Sequence, residues 1–162
     1  MAGIPVDRAR WRNTLTYQVD PRVSVGVEWN PLDDDLGLLA NWRVLDETAT
    51  RPELMVGTSS DRIGTPSGRA YFATLSKDLG SWLDLPVAPY VGASYGEFDE
   101  EVVAIGGLRV RYGDRWSSGH LWDGHNLHHI LDHTIDDRWR IGLLVAEQDG
   151  DYYAGLRIGV SF

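Results

Sequence analysis

The histidines are the residues of this chain whose type and spacing could do chemistry. Imidazole is a common metal ligand and a general base near neutral pH. The spacing matches no known zinc pattern, and the two HxxxH spacings would need a helix to bring the rings together. We therefore interpret the histidines as polar interior or turn residues, and we predict no metal and no cofactor. All five lie within fourteen residues: His120, His125, His128, His129 and His133.

Two serines beside this cluster add the residue types of a hydrolase. Ser117 and Ser118 lie close in sequence to His120 and Asp123. A serine, a base and an acid form a catalytic set only when they meet at hydrogen-bond distance, and the spacing does not show that they meet. We assign no catalytic residue, and an enzyme stays an alternative. The chain has no cysteine, which excludes a thiol nucleophile.

Charged side chains share one face of the clearest strand-like segments with many glycines. Successive side chains of a strand point to opposite faces, so each segment has a charged face and an apolar face. An arginine that faced lipid would cost about 2–4 kcal/mol at mid-depth, so we predict that the charges line an interior. The predicted lining residues are Glu28, Arg43, Arg109, Arg111, Arg140 and Arg157.

We expect these arginines to form ion pairs with Glu28, Glu97 and Asp132. Such a network would fill most of the narrow interior that a small barrel encloses. A filled interior makes the protein a structural or anchoring element. A partly open interior would be a cationic constriction that favours anions.

The elements that position these residues are predicted to be strands. Apolar and polar residues alternate along almost the whole chain, with turn residues between the runs. This pattern predicts an all-β fold of roughly ten to twelve strands in a single domain spanning residues 1–162. Short connections favour an up-and-down antiparallel sheet, and we predict that this sheet closes into a barrel, because closure removes the sheet's edges. Residues 78–86 are predicted to form a turn with one helical twist.

Turn signals set the boundaries near the histidines. Asp123-Gly124 and Asp149-Gly150 are typical of type I′ hairpins. Residues 113–116 are predicted to be a break, with a short strand over 119–122. Residues 126–135 fit a strand or an amphipathic helix, and we prefer the strand because turn signals bracket a strand-length segment.

The closing segment carries the most specific pattern. Its apolar face has an aromatic residue at each end, and its other face is small or polar. A terminal strand of this kind that ends on Phe resembles the closing strand of bacterial outer-membrane β-barrels. The resemblance implies contact with membrane lipid and assembly by the outer-membrane insertion machinery. The residues that match this assembly signal are Gly155, Leu156, Ile158, Val160 and Phe162.

Aromatic residues near the predicted strand ends agree with an interfacial girdle. They are Trp29, Tyr95, Tyr112, Trp139, Tyr152 and Phe162.

Composition excludes some partners. A net charge of −9 argues against nucleic-acid binding, which needs a basic face. Residues 1–5 lack the basic start and apolar stretch of a signal peptide. The chain is therefore a mature form with an added Met1, or it is soluble and intracellular. We favour the first and predict a bacterial outer-membrane location. The alternatives are a soluble β-barrel or β-sandwich, the barrel binding an apolar ligand inside, and an outer-membrane lipid-modifying enzyme.

Overall fold

The computed structural model describes residues 11–162 except 33, 64, 84, 85 and 149. They form one antiparallel sheet of eleven strands, in which each strand pairs with its neighbours along the chain. The all-β class and the antiparallel meander are confirmed. The strands are β1 (Asn13–Gln18), β2 (Val23–Asn30), β3 (Asp35–Leu45), β4 (Glu53–Ser60), β5 (Arg69–Ser76), β6 (Val87–Gly96), β7 (Glu101–Tyr112), β8 (Trp116–Trp122), β9 (Leu127–Thr134), β10 (Trp139–Gln148) and β11 (Asp151–Val160).

The ambiguous and the irregular segments are resolved. The stretch that fits either a strand or a helix is β9, a strand. One helical turn, α1 (Gly80–Leu83), lies between β5 and β6 as predicted. The predicted break over 113–116 is too long, because Trp116 already pairs with Tyr112 and His133 and begins β8. Gly113 adopts φ +68°, which permits a tighter turn than the sequence suggests.

The type I′ prediction at Asp123-Gly124 is wrong. That turn needs positive φ at both central residues, and here only Gly124 has it, at +105°. Instead, Oδ1 of Asp123 accepts hydrogen bonds from the backbone N–H groups of His125 (2.9 Å) and Asn126 (2.8 Å). The aspartate thus organises a four-residue connection. In the second predicted hairpin Gly150 has φ +85°, whereas Asp149 lies outside the described residues.

The apolar face of the sheet is the exposed one. Leu38 is 75% exposed, Ile158 72% and Leu156 68%, although each lies within a strand. Among the described residues, thirty-three large hydrophobic side chains are exposed, and the buried hydrophobic ones are Leu39, Ala70 and Ala146. Buried polar residues include Glu28 and His128, at 1% and 2% exposure. The sheet therefore exposes apolar groups and buries polar ones, the reverse of a water-soluble fold.

The polar face is curled around an interior. Arg43 on β3 and Arg157 on β11 line the same cavity. In a flat sheet, eight strand spacings would separate these two strands by about 38 Å. A shared cavity therefore requires strong curvature with the polar face inward. In the described chain β1 and β11 are the two edges of the sheet and do not pair, so strand pairing alone leaves the predicted closed barrel unproven.

The connections divide between two ends of the sheet. We call one the carboxy-terminal end, which carries the connections 19–22, 46–52, 77–86, 113–115 and 135–138. The other, the opposite end, carries 31–34, 61–68, 97–100, 123–126 and 149–150. Exposed aromatic residues gather near both. Near the carboxy-terminal end lie Tyr17, Trp42, Tyr112, Trp116, Trp139 and Phe162, and near the opposite end lie Trp29, Tyr71, Tyr95, Trp122 and Tyr152.

Candidate functional site

The interior contains a cavity of about 880 Å³, which we call the arginine cavity. The strands direct arginines into it because arginine occupies inward positions of β3, β7, β10 and β11. Acidic residues in the lining are fewer, namely Glu53, Asp114 and Asp132. The cavity is therefore cationic. Its arginines are Arg43, Arg109, Arg111, Arg115, Arg140 and Arg157.

Half of these arginines have acidic partners. Nε of Arg43 lies 2.7 Å from Glu53, and a guanidinium nitrogen of Arg111 lies 2.8 Å from Asp78. Nε of Arg157 lies 3.5 Å from Asp132. In the part of the chain that the structure describes, the remaining three cavity arginines, Arg109, Arg115 and Arg140, form no ion pair. Their charges are available to an anion.

Glycine makes room for one of these pairs. Gly142 lies between Asp132 and Arg157 in the strand register. A Cβ at this position would lie 2.2 Å from Oδ1 of Asp132 and 2.7 Å from Cγ of Arg157. Any larger residue here would push the two charged side chains apart.

Towards the opposite end, the interior contains buried polar groups and a smaller cavity of about 150 Å³. Glu28 forms an ion pair with Arg12, whose side chain is partly exposed. His128 donates from Nε2 to Oδ2 of Asp123 at 2.7 Å. Burial alone would raise the pKa of the Asp123 carboxyl. The hydrogen bonds from His128 and from the backbone N–H groups of Asn126 and His125 outweigh burial and hold that pKa below its ordinary value.

Part of the predicted arginine network is wrong. Glu28 pairs with Arg12 and not with any cavity arginine. Glu97 accepts hydrogen bonds from the hydroxyl of Tyr71 at 2.8 Å and from the backbone N–H of Arg69 at 3.0 Å. Of the three expected acidic partners, Asp132 alone joins the set. The interior also keeps an open cavity at one end, so ion pairs do not fill it.

The sequence predicts that all five histidines lie in the interior or in turns, and for three of them this prediction is wrong. His128 faces inward and His125 lies in a connection, but His120, His129 and His133 lie on the exposed apolar face. Strand pairing shows this, because His133 pairs with Trp116 and Ile141, and His129 pairs with Val145. The ring of His133 packs against Trp116, with centroids 4.3 Å apart.

On this apolar face, four polar side chains form a continuous hydrogen-bonded chain, which we call the Ser118 relay. The hydroxyls of Tyr112 and Ser118 are 3.1 Å apart. Oγ of Ser118 is 3.3 Å from Nε2 of His120. Nδ1 of His120 is 2.7 Å from Nδ1 of His129. The serine and histidine singled out in the sequence therefore do meet.

The side chains of the other two residues of the predicted hydrolase set, Ser117 and Asp123, do not contact those of Ser118 and His120. Ser117 lies on the inward face, since it pairs with Arg111 and Asp132, and Asp123 bonds to His128. The sequence reasoning missed His129, which pairs directly with His120 across the β8–β9 hairpin. A four-residue connection between Trp122 and Leu127 fixes that register, so counting outward from the loop could have found the pair.

The terminal strand lies at one edge of the sheet. Leu156, Ile158 and Val160 are exposed on the apolar face, and Phe162 is fully exposed. Gly155 lies on the inward face opposite Leu144.

Within the described residues, no group of three or more His, Cys, Asp or Glu side chains could hold a metal ion. No helix in this part of the chain is long and apolar enough to cross a membrane. Comparison with protein-family models, curated proteins and solved structures found no match to the chain.

Proposed function

We propose that this chain is an integral β-barrel of the bacterial outer membrane. Its interior has buried polar groups at the opposite end and the arginine cavity at the carboxy-terminal end, and it serves as a structural or anchoring element or as a narrow pore. The observation that carries the proposal is the exposed apolar face. Soluble monomers rarely expose a contiguous apolar patch above roughly 600 Å², whereas here apolar side chains cover the outer face of most strands.

The aromatic residues lie near both ends of this face. Trp116 and Trp122 lie at the two ends of β8, six residues apart. Six residues span about 20 Å along a strand, which a tilt of about 40° converts to about 15 Å of depth, within the ~25 Å apolar band of outer-membrane barrels. Aromatic side chains near both ends fit the two interfaces of a bilayer.

Closure of the sheet is part of the proposal. Unpaired backbone groups in hydrocarbon cost several kcal/mol each, so β1 and β11 cannot remain open edges in a membrane. The curvature that brings Arg43 and Arg157 to one cavity supports closure.

The cavity lining disfavours the alternative of a soluble barrel that binds an apolar ligand. Sites for apolar ligands are lined mostly by hydrophobic and aromatic side chains. This cavity has six arginines in its wall, which an apolar ligand would desolvate without compensation.

Dependence on detergent tests the membrane location. The chain is exported behind a bacterial secretion signal, and the membranes are then separated. We expect the protein in the outer-membrane fraction, and we expect it to need detergent to run as a single species in size-exclusion chromatography. A folded, monodisperse protein in detergent-free buffer would contradict the proposal.

Conductance in planar bilayers separates a pore from an anchor. If the cavity connects the two sides, the channel prefers anions, and Arg109→Glu or Arg140→Glu shifts the reversal potential in a salt gradient towards cations. Arg51→Glu is the matched control, because it makes the same charge change in a connection outside the cavity lining. If the protein inserts into the membrane but shows no conductance, it serves as a structural or anchoring element.

Recognition by the insertion machinery is tested at the chain end. Deletion of Phe162 is expected to reduce the amount of assembled protein, whereas Ser161→Ala leaves it unchanged. Equal assembly of all three chains would remove the proposed role of the terminal strand.

A further inference from the structure

We propose that the Ser118 relay is a hydrolytic site for the acyl esters of membrane lipids, with Ser118 as nucleophile and His120 as general base. The inference rests on the proposed membrane location, because it places the relay against lipid. It assigns a catalytic activity to a protein that needs none for a structural or pore role.

The relay has the order of groups that nucleophilic catalysis requires. A serine hydroxyl becomes nucleophilic when an adjacent base takes its proton, and the base works best when a third group orients it. Ser118, His120 and His129 provide these groups at 3.3 Å and 2.7 Å.

The short distance between the two imidazoles constrains their protons. Two Nδ1 atoms 2.7 Å apart require a hydrogen on one of them and a lone pair on the other. When the hydrogen is on His120, Nε2 of His120 carries a lone pair and accepts the Ser118 proton. His129 then acts as a positioning residue, since it holds His120 in the productive tautomer.

The apolar surroundings of the Ser118 relay point to a functional role for its polar side chains. Its neighbours in the strand register are apolar: Val110 and Leu131 flank Ser118, and Leu108 and Val145 flank the histidine pair. Polar groups on a lipid-facing surface cost free energy even when they are bonded to each other. A purely structural strand would carry aliphatic residues here, as β11 does.

The depth of the relay fits an ester bond. Ser118 lies two residues from Trp116, about 7 Å along the strand from the aromatic row at the carboxy-terminal end. Lipid ester groups lie at the boundary between headgroups and acyl chains, where such aromatic residues also lie. Ser118 is 8% exposed, so neighbouring side chains cover most of its surface.

The reaction proceeds in two steps, acylation of Ser118 and hydrolysis of the acyl-serine. Oγ of Ser118 attacks the ester carbonyl carbon, and its proton passes to Nε2 of His120. The bond to the lipid alcohol breaks, and the alcohol leaves with that proton, so the acyl group stays on Ser118. Water then attacks the acyl-serine while His120 takes its proton and returns it to Oγ, which releases the fatty acid. The hydroxyl of Tyr112, 3.1 Å from Oγ, is a donor within reach of the carbonyl oxygen.

Labelling with a fluorophosphonate probe in detergent micelles tests the nucleophile directly. We expect one adduct per chain, mapped by mass spectrometry to Ser118 and abolished in Ser118→Ala. Ser117→Ala is the matched control, because it removes the adjacent hydroxyl, which the strand register places on the inward face. An unlabelled wild-type protein, or an adduct on another residue, overturns the proposal without reliance on any variant.

Release of fatty acid from phosphatidylethanolamine vesicles, with lipopolysaccharide as a second substrate, tests the base and its orientation. His120→Gln should lower the rate by about 10²–10⁴-fold. His129→Ala should also lower it, and His129→Asn, which keeps an acceptor for Nδ1–H of His120, should restore most of it. Equal rates in wild type and Ser118→Ala would overturn the proposal. Labelling of Ser118 in a protein that stays monodisperse without detergent would defeat the membrane location and leave the catalytic site standing.

Discussion

A charge placed at two depths of the apolar face distinguishes lipid from water around it. Val91 and Val102 are matched residues, because both are valines of the apolar face, and they are 64% and 67% exposed. They differ in position along the strands. Val91 lies in the middle of β6, whereas Val102 is the second residue of β7. Substitution of each by arginine introduces the same side chain with the same change in strand propensity.

The register gives the difference in depth. Val91 pairs with Gly106, which is four residues from Val102 along β7. Four residues span about 14 Å, and a strand tilt of about 40° converts this to about 10 Å of depth. That is most of the half-height of a ~25 Å apolar band. We therefore expect Val91→Arg to cost about 2–4 kcal/mol and Val102→Arg about 0–1 kcal/mol.

The measurement is the free energy of unfolding in denaturant, for protein in phospholipid vesicles, with tryptophan fluorescence as the signal. If water surrounded this face, both substitutions would stay within about 0.5 kcal/mol of wild type, as surface changes usually do. Equal, small effects at the two positions would refute the assignment of the apolar face to lipid. A larger cost at Val102 would refute the placement of the band.

Three further predictions concern the interior. Arg12→Ala should cost about 3 kcal/mol of unfolding free energy, because it leaves the buried Glu28 carboxylate unpaired. Asp123→Asn should destabilise the fold near neutral pH, because the carboxylate accepts hydrogen bonds from His128 and two backbone N–H groups. Gly92→Ala should cost about 1–3 kcal/mol, because its Cβ would lie 2.1 Å from the carbonyl oxygen of Ala73.

The Arg12 and Gly92 predictions have controls measured in the same unfolding assay. The double variant Arg12→Ala/Glu28→Gln should recover most of the loss, and a loss below about 0.5 kcal/mol in Arg12→Ala would contradict the buried ion pair. Gly119→Ala should be nearly neutral, because the nearest atom to its Cβ would be Cβ of Ile130 at 4.0 Å. Equal losses at Gly92 and Gly119 would show that close approach of the strands is not the cause.

The Asp123 prediction has a defined sign with pH. The pKa of the folded carboxyl lies below its unfolded value of about 3.9. Its contribution is therefore fully present above that value and is lost as the pH falls through the lower folded pKa. The difference in stability between wild type and Asp123→Asn should shrink below about pH 4. A difference that stays constant with pH would contradict the depressed pKa.

The strands and their faces could be predicted from the sequence because alternation is a local property. Leu36 to Arg43 shows its two faces without reference to any partner, and the structure places them as the pattern indicates. The exceptions are a register shift between Arg43 and Leu45, which leaves Leu45 exposed, and the turns. At Asp123 a side-chain carboxylate replaces the backbone geometry that the Asp-Gly pair normally adopts.

The contacts in the candidate sites depend on strand register and on distances across the sheet. The alternation of apolar and polar residues determines neither. The sequence predicts that Glu28 pairs with the cavity arginines, but its ion pair is with Arg12, which lies outside the strands. The histidines looked like interior residues by their polarity, yet position in β8 and β9 turns three of them outward. The Ser118–His120 contact was accessible to sequence reasoning, and the third member was not recognised until the pairing of His120 with His129 was known.

The simple strand order also bears on how the chain acquires its structure. Within the described residues, extensive contacts between strands involve only neighbours along the chain, so each of these pairings spans one connection. Loop-closure entropy is small for such pairs, and local pairings generally form fast. The sheet can therefore grow from any one hairpin by addition of the next strand.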